Sequence, residues 1–353
     1  MLLSKTHLSR AALAALVLAV FAHALPFEKI HIRGQMGKAR IDEAARTIFV
    51  PVNYYGRGGV FPLESAYVEE FVLPNGTAHT LPDTVDLRDW FPFKIGEEEW
   101  KIKGGYQLPG SDFTKWHTED VPGFATFGRI KCDEMVGGEN QHIWDNGNPA
   151  YSTSGSKAWP TKKVTLKDGT IAAELETQKV FGVIASGNLF TGRIVREWSL
   201  KRLLQYAMGS DGKNLIKWGV PFTGRPKAVR VKFKYEGKGD TCTVMTSLEN
   251  RKDGTRRYIA TAWYSSAHDN DKKQEGVISI SEPDENGLRT LEMKFIYGTP
   301  HKNADPLPDN AVHGKADEEI THINVVFGSS RRGDYFKGVK GAKLTVSKYE
   351  LVY

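Results

Sequence analysis

Strict alternation of apolar and basic side chains marks one segment of this chain. The apolar positions are Val229, Val231, Phe233 and Tyr235, and the positions between them are Arg230, Lys232 and Lys234. A period of two residues is that of a β-strand with one face buried and the other in water. Antiparallel sheets of this kind pair into sandwiches, whose outer faces and loops bind extended ligands. The pattern therefore favours a β-sandwich over a nucleotide-binding fold.

Further apolar runs flanked by turn residues have the signature of short strands. These predicted strands are Lys163–Leu166, Thr170–Glu176, Cys242–Leu248, Tyr258–Trp263, Val277–Ser281, Leu291–Tyr297, Ile320–Phe327 and Ala342–Tyr353. In the last of them the apolar phase slips at Ser347-Lys348, which predicts a β-bulge. The segment Ile194–Ala207 has a mixed pattern that is compatible with a helix and leaves its secondary structure open. Together with Val229–Tyr235 the strands suffice for a jelly roll.

The N-terminal part of the chain carries a strand pattern of its own. Short apolar runs alternate there with turn residues, at Ile48–Val52, Ala66–Leu73 and Trp90–Ile102. This spacing is typical of an immunoglobulin-like sandwich. Glycines and a proline interrupt the pattern between Gly104 and Gly110 and predict a domain boundary. We therefore expect an all-β protein, with an immunoglobulin-like sandwich at residues 25–106 and a larger jelly-roll β-sandwich at residues 107–353.

The first residues match the pattern of an export signal. Lys5 and Arg10 precede an apolar run at Ala11–Phe21, and Ala22-His23-Ala24 places small residues where a signal peptidase cleaves. We predict a signal peptide at residues 1–24 and a mature protein that is secreted, periplasmic or at the cell surface. No cysteine follows the cleavage site to carry a lipid anchor, and no later segment approaches the ~20 apolar residues of a membrane span.

Composition narrows the partners and the chemistry. The formal charge of +6 comes from basic residues spread along strands, which argues against nucleic acid as a partner. The two cysteines, Cys132 and Cys242, are able to form a disulfide in an exported protein or to remain separate buried thiols. Neither has a second cysteine or histidine at metal-ligand spacing. The sequence lacks the motifs of serine hydrolases, zinc proteases and nucleotide-dependent enzymes.

One segment offers the groups that recognise a sugar, namely flat aromatic surfaces beside amides or carboxylates that pair with hydroxyls. Trp144-Asp145-Asn146-Gly147-Asn148 has both on a predicted loop, and Trp159 follows closely. Core filling is the commoner role of a tryptophan, but the polar neighbours and the glycine make burial of Trp144 awkward. The candidate ligand-binding residues are therefore Trp144, Asp145, Asn146, Asn148 and Trp159.

An enzyme that cleaves glycosidic bonds requires two carboxylates about 5–9.5 Å apart, one of them with a raised pKa. The eligible catalytic candidates are Glu174, Glu176, Asp145, Asp334, Asp240 and Glu292. Glu174 and Glu176 lie about 6.6 Å apart on one face of a predicted strand, from the rise per residue. A solvated strand face is nevertheless the favoured interpretation of that pair.

Several blocks of the chain resemble one known family. They are Leu108–Trp116, Ala172–Thr177, Ser186–Gly192, Gly219–Pro226, Val326–Gly338 and Tyr349–Tyr353. In this order they are similar to the putative carbohydrate metabolism domain of exported Bacteroidetes proteins, over nearly all of residues 107–353. Residues 41–50 resemble the start of the immunoglobulin-like domain that precedes the jelly roll in many members. The resemblance implies that the protein handles glycans.

The resemblance also bears on metal binding and on Arg225. Related jelly rolls often hold a structural calcium through an early carboxylate and a pair of aspartates in the last strand. Here Thr114 stands where an acid is frequent, and Lys348 occupies the position of the pair. We therefore expect neither a metal nor another cofactor. Arg225 is a candidate ligand-binding residue, a turn anchor, or the partner of Asp334 in a salt bridge between loops.

Three functions are compatible with the sequence and remain as hypotheses. The first is an exported module that binds an oligo- or polysaccharide through the jelly roll. The second is a glycoside hydrolase that uses a carboxylate pair on the same domain, and the third is a surface adhesin or structural protein. The sequence leaves the sugar and the oligomeric state open.

Overall fold

The computed structural model describes residues 29–36, 38–53, 55–56, 59–107, 111–123, 128–137, 143–196, 201, 215–265, 274–301, 307 and 310–353. The predicted signal peptide, residues 1–24, lies outside the described residues, and so does most of the mixed segment 194–207. None of the helices in the described part of the chain combines the length and apolarity needed to cross a membrane.

Strands account for most of the described structure. The elements are β1 (Lys29–Ile32), β2 (Arg40–Asp42), β3 (Thr47–Asn53), β4 (Tyr55–Gly56), β5 (Gly59–Val60), β6 (Ala66–Val72), β7 (Thr84–Val85), β8 (Phe91–Ile95), β9 (Glu98–Gln107), β10 (Trp116–Pro122), β11 (Arg129–Val136), β12 (Trp144–Asn146), α1 (Asn148–Tyr151), β13 (Thr161–Thr165), β14 (Ile171–Glu176), β15 (Gln178–Val180), β16 (Val183–Ala185), β17 (Asn188–Ile194), β18 (Ile216–Trp218), β19 (Val220–Pro221), β20 (Ala228–Glu236), β21 (Thr243–Asn250), β22 (Arg257–Tyr264), β23 (Val277–Ile280), β24 (Arg289–Lys294), β25 (Ile296–Tyr297), β26 (Val312–His313), β27 (His322–Gly328) and β28 (Lys343–Val352). The prediction of an all-β protein is confirmed.

The described chain divides into two compact units. The first contains the residues up to 51 together with 62–104, and the second contains 52–61 and 105–353. In the first unit, β1, β6 and β7 form one sheet, and β2, β3, β9 and β8 form another. Phe71 of β6 packs edge-on against Phe93 of β8 at 5.6 Å between ring centroids, so the two sheets share a core. The immunoglobulin-like assignment of residues 25–106 stays a prediction.

The second unit is a sandwich of two large sheets. The six-stranded sheet has the order β13-β14-β28-β20-β24-β23. The nine-stranded sheet follows the path β12-β17-β27-β21-β22-β25, with β18, β19 and β26 attached to β17, β27 and β22. Each predicted strand of this region is present, but Leu291–Tyr297 divides at Phe295. Its first part, β24, belongs to one sheet and its second part, β25, belongs to the other.

Strand β20 shows why the two sheets face each other. Val229, Val231 and Phe233 are buried in the common core, and the ring of Phe233 meets Tyr264 of the opposite sheet edge-on at 5.4 Å. Burial of each such side chain stabilises the fold by about 1.5–3 kcal/mol. Arg230, between the buried positions, points outward and pairs with carboxylates of β24 and β28. The alternation in the sequence thus specifies the buried face.

The predicted bulge in the last strand is also confirmed. Lys232 of β20 pairs with Lys348, and the next residue, Phe233, pairs with Val346. Ser347 is therefore the extra residue, and its hydroxyl contacts the Lys232 carbonyl at 3.5 Å. This insertion shifts the apolar phase, so that both Val346 and Tyr349 reach the core.

The two cysteines are not bridged. Cys132 and Cys242 are free thiols, and both are buried. Burial raises the pKa of the Cys132 thiol to about 12, against hydrogen bonds that lower it. Of the two possibilities that the sequence leaves open, separate buried thiols are the one that the structure has.

The expectation that Trp144 lies on an exposed loop is wrong. Trp144 belongs to β12 and is 7% exposed. Its ring stacks on Phe327 at 6.1 Å and meets Phe113 and Tyr349 edge-on at 5.2 and 5.7 Å. The indole is therefore enclosed by aromatic rings of the core, and almost none of its surface is open to a sugar.

Replacing Trp144 should therefore cost stability. We expect Trp144→Ala to lower the free energy of unfolding by about 3–5 kcal/mol, because it leaves a cavity between the sheets. Phe181, which is 66% exposed, provides the control, and Phe181→Ala should change stability by less than about 1 kcal/mol. Urea denaturation of both variants measures the difference. Equal stability of the two variants would contradict the core assignment.

Candidate functional site

A groove of about 750 Å³ lies over the outer face of the nine-stranded sheet. Val325 and Phe327 of β27 point into the core, so Asn324 and Val326, which alternate with them, point to the opposite face. Both line the groove, together with Met245 of β21. The volume falls in the usual range of small-molecule sites. The floor of the groove thus consists of the strand side chains that alternate with the core-facing ones.

Two amide groups on this floor have carbonyl oxygens without a partner. Asn188 Oδ1 and Asn324 Oδ1 are both buried, and neither accepts a hydrogen bond from the described residues. A buried acceptor of this kind costs about 1–3 kcal/mol, so a group that supplies a donor would be stabilised here. Asn188 pairs with Gly328, four residues beyond Asn324 on the same strand. The two amides are therefore about 13 Å apart along the strand direction.

Aromatic rings surround these amides. The aromatic residues of the lining that lie outside the main core are Tyr151, Phe181, Trp218, Tyr258, Trp263, Tyr335 and Phe336. Phe181 and Tyr335 are exposed, at 66% and 37%, whereas Tyr258 and Trp263 are almost fully buried. The exposed rings have area to offer to the apolar C–H face of a ligand.

The loop at residues 329–342, here termed the Arg loop, forms one wall of the groove. Ser330 Oγ donates to Asp240 Oδ2 at 2.5 Å and lies 2.7 Å from Thr177 Oγ1. The Val339 N–H group donates to the same Asp240 oxygen at 2.8 Å. Asp240, one of the eligible carboxylates in the sequence, thus binds both ends of the loop and holds it in place.

The Arg loop brings guanidinium groups against the aromatic rings. Arg331 lies 4.9 Å from the centroid of Trp263, and Arg332 lies 5.6 Å from that of Tyr335. Arg256 stacks in the same way over Tyr258, at 4.9 Å. Cation–π contacts of this kind hold the guanidinium planes parallel to a surface while their edges remain available as donors.

A fully buried carboxylate, Glu249, anchors one end of the groove. It accepts hydrogen bonds from Ser247 at 2.7 Å, from Arg251 at 2.5 and 2.8 Å, and from Arg256 at 2.7 and 2.9 Å. Burial would raise the pKa of Glu249, but these hydrogen bonds and the two positive charges hold it below the ordinary value. Burial, followed by the charge of Arg251, also lowers the pKa of His322 to about 4. His322 is therefore neutral at pH 7.

The polar residues that follow Trp144 are buried as well. Asp145 accepts two hydrogen bonds from Arg196, at 2.9 and 3.1 Å, and others from the backbone of Ile194 and Asn146. Burial raises the pKa of Asp145 against the opposing effect of Arg196. Asn146 and Asn148 each donate to the Glu134 carbonyl at 2.9 Å. These side chains join β12 and α1 to their neighbours, which contradicts their expected exposure on a loop.

Trp159 adjoins a second, open cavity of about 710 Å³, which it lines together with Asp133 and Glu134. Its ring is 7% exposed and packs edge-on against Tyr151. Burial raises the pKa of Glu134, whose Oε2 accepts the Lys163 N–H at 2.6 Å. Asp133 and Glu134 are consecutive on β11, so their side chains leave opposite faces of the strand and do not converge.

Glu174 and Glu176 lie on the outer face of the six-stranded sheet. Each is within ion-pair distance of Lys162 and of Lys343, at 3.1–3.8 Å. Although burial acts against it, the two carboxylates raise the pKa of Lys343. Neither glutamate lines the groove, and Glu292 is paired with Arg230 on the same outer face.

Arg225 has the role of a turn anchor. It donates to the carbonyls of Ala316 and Glu318 and lies 5.2 Å from the ring of Tyr297. The predicted salt bridge with Asp334 is wrong, because the Arg225 guanidinium instead donates its hydrogen bonds to these two carbonyls. Asp334 itself is exposed and lines the groove on the Arg loop.

The positions that bear on calcium are occupied by local contacts. Asp112 Oδ1 accepts from the hydroxyl and the N–H of Thr114 at 2.7 and 3.1 Å, and Lys348 pairs with Glu350 at 2.9 Å. Within the described ranges, histidine, cysteine, aspartate and glutamate side chains form no group of three or more that is placed to hold a metal ion.

Asp334, a catalytic candidate from the sequence, lies in the groove lining, whereas the sequence analysis did not single out Asn188, Asn324, Arg256, Arg331 and Arg332. Four of these five stand in segments that are distinctive in the sequence, either in a family-like block or in a predicted strand. A polar residue at an outward position of an otherwise apolar strand was the available signal, and Asn324 in Ile320–Phe327 meets it.

Fold and groove together define the second unit as a jelly-roll sandwich with a ligand-sized site on the outer face of one sheet. Residues 112–352 match the model of the family described as "Putative carbohydrate metabolism domain". The match covers more than half of the chain, and the chain belongs to this family. The resemblance of the sequence blocks to this domain is thereby confirmed for residues 112–352. A search of curated proteins finds no match.

Two solved structures are similar to the chain. A putative glycoside hydrolase from Bacteroides thetaiotaomicron VPI-5482 shares 16% identity, with a TM-score of 0.47 over 93% of this chain and 96% of that one. A putative glycoside hydrolase from Bacteroides vulgatus ATCC 8482 shares 20% identity, with a TM-score of 0.46 over 69% of this chain and 97% of that one. Likeness at this level does not bear on whether this chain cleaves glycosidic bonds.

Removing the charge of Glu249 should destabilise the sandwich. We expect Glu249→Gln to lower the free energy of unfolding by about 3–5 kcal/mol, because two partly buried arginines lose their counter-charge. Glu292→Gln removes an outer-face partner of Arg230 and should cost no more than about 1 kcal/mol. Chemical denaturation at pH 7 measures both. A loss in Glu249→Gln no larger than that in the control would refute the anchoring role.

Proposed function

We propose that this protein binds a saccharide in the groove over the nine-stranded sheet. Membership of a carbohydrate metabolism family supports a sugar as the ligand. The observation that carries the proposal is that two side chains of the groove lining, Asn188 and Asn324, each have a buried carbonyl oxygen that accepts no hydrogen bond from the described residues. Sugar hydroxyls are donors, and their hydrogen bonds would offset the cost of burying these two acceptors.

The rest of the groove suits the apolar side of a sugar ring. Met245 and Val326 provide an apolar floor, and exposed area of Phe181 and Tyr335 stands at its border. A site of mainly apolar lining with a few placed polar groups is the usual composition of a small-ligand pocket. A span of about 13 Å between the two amides is longer than one sugar ring, which favours an oligosaccharide.

The small number of carboxylates in the groove favours binding over hydrolysis. Among the described residues that line the groove, Asp334 is the one acidic side chain, whereas glycoside hydrolysis ordinarily uses two. The other candidates are committed elsewhere: Asp145 to Arg196, Asp240 to the Arg loop, and Glu174 with Glu176 to lysines. An adhesin that binds protein has no comparable support in the lining of the groove.

Asn324→Leu tests the site, because leucine removes the acceptor with little change in volume. We expect the mature full-length variant to lose binding on a glycan array by about tenfold or more, while its stability is unchanged or increased. Asn286→Leu, in the turn between β23 and β24 of the other sheet, is the matched control and should bind as the wild type does.

Two results would count against this function. Undiminished binding by Asn324→Leu would place the ligand elsewhere. Reducing-sugar release by the purified protein that disappears in Asp334→Asn would make the protein a hydrolase.

We also propose that residues 1–24 direct export and that residues 25–106 form an immunoglobulin-like domain. The charged, apolar and small-residue sequence of 1–24 supports the first part, and the pair of three- and four-stranded sheets supports the second. On expression in a Gram-negative host, we expect N-terminal sequencing of the exported protein to begin at Leu25. An intact N-terminus in the exported fraction would refute cleavage at this position.

A further inference from the structure

The groove carries an excess of positive charge. Its described lining contains Arg256, Arg331 and Arg332 against a single carboxylate, Asp334. Arg256 is neutralised in part by Glu249, which it shares with Arg251. Counting these groups together gives four arginines and two carboxylates, and 4 − 2 leaves a formal charge of +2 among them.

Arg331 and Arg332 are the guanidinium groups available to a ligand. Both are exposed, and neither forms an ion pair with a carboxylate of the described residues. Each instead lies over an aromatic ring, Trp263 or Tyr335, through a cation–π contact. Stacking orients the planar group and leaves its N–H edge free for bidentate hydrogen bonds to a carboxylate or sulfate.

The backbone that carries these two side chains is held by hydrogen bonds before any ligand binds. The Arg331 N–H group donates to the Thr241 carbonyl at 2.7 Å, and Ser330 is bound to Asp240. Ordered donors of this kind lose less conformational entropy on binding than mobile surface side chains do. The arginines thus differ from Lys162 and Lys343 of the opposite sheet, which are paired with glutamates.

We propose that the groove takes an acidic saccharide, with Arg331 and Arg332 binding the carboxylate or sulfate groups and Asn188 and Asn324 binding hydroxyls. This inference rests on the proposed function and adds the chemical class of the ligand. The shared chemistry of the ligands is a sugar ring that bears an anionic group, as in uronates and sulfated glycans.

The test compares charged saccharides with neutral counterparts of the same backbone. One pair is an oligogalacturonide and its carboxyl-reduced form, and the other is a sulfated heparin oligosaccharide and its desulfated form. Binding of the mature full-length protein is measured by calorimetry at two salt concentrations. We expect at least one acidic member to bind about tenfold or more tightly than its neutral counterpart, with affinity falling as salt rises.

The double variant Arg331→Gln/Arg332→Gln should abolish that preference while thermal stability is kept. Lys234→Gln/Lys348→Gln removes the same formal charge from the outer face of the six-stranded sheet and should retain the preference. The pair Arg331→Lys/Arg332→Lys keeps the charge without the bidentate geometry, and we expect it to restore part of the affinity.

The outcomes separate this inference from the function on which it rests. Equal affinity for charged and neutral partners, or an unchanged preference in the arginine variant, would overturn the acidic ligand and leave saccharide binding intact. If the lysine control also loses the preference for acidic saccharides, that preference comes from the overall charge of the protein. This result would overturn the inference as well. Absence of binding to every saccharide on an array would remove the proposed function, and this inference with it.

Discussion

The period of the β-strand is the constraint on which the second unit depends. Once Val325 and Phe327 are buried between the sheets, the residues between them must leave the opposite face of the strand. The hydrophobic core therefore also determines which side chains form the floor of the groove. Asn324 occupies its position because its neighbours are apolar, and a shift of one residue in register would turn Asn324 into the core and turn those neighbours to the outer face.

The outer faces of the two sheets have different chemistry. On the six-stranded sheet, Arg230 is matched by Glu292 and Glu350, and Lys343 by Glu174 and Glu176. Such exposed pairs add little stability, but they leave that face self-neutralised. The face of the nine-stranded sheet instead combines aromatic rings, amides without donors and stacked arginines. Among the described residues of the two outer faces, amide oxygens without a donor are found on the second face.

Buried polar networks determine the shape of this second face. Glu249 holds Arg256 at one end of the groove, and Asp240 closes the Arg loop at the other side. Desolvation makes each network costly unless its hydrogen bonds are complete. The Glu249 network joins residues that are close in the sequence, but Asp240 meets Ser330 and Val339 only across 90 and 99 residues. The wall that the Arg loop forms therefore exists only in the folded sandwich.

Local pattern by itself determined the all-β class, nine strands of the second unit and the bulge at Ser347, because each follows from residues close together in the chain. It did not predict β10, β11 or β17. Local pattern did not predict the buried position of Trp144. The polar neighbours of Trp144 predict that this segment is exposed. However, Asp145 accepts a hydrogen bond from Arg196, some fifty residues later in the chain, and this partner makes burial of Asp145 possible.

Local sequence pattern did not predict the groove either. Asn188, Asn324 and Arg331 stand on separate strands and loops, and nothing in the sequence near each of them shows that they converge. Tertiary structure alone decided the site, because strand pairing and long-range hydrogen bonds bring its side chains together. The sequence by itself determined which faces are buried, and the assembly of the two sheets determined what the remaining face is able to bind.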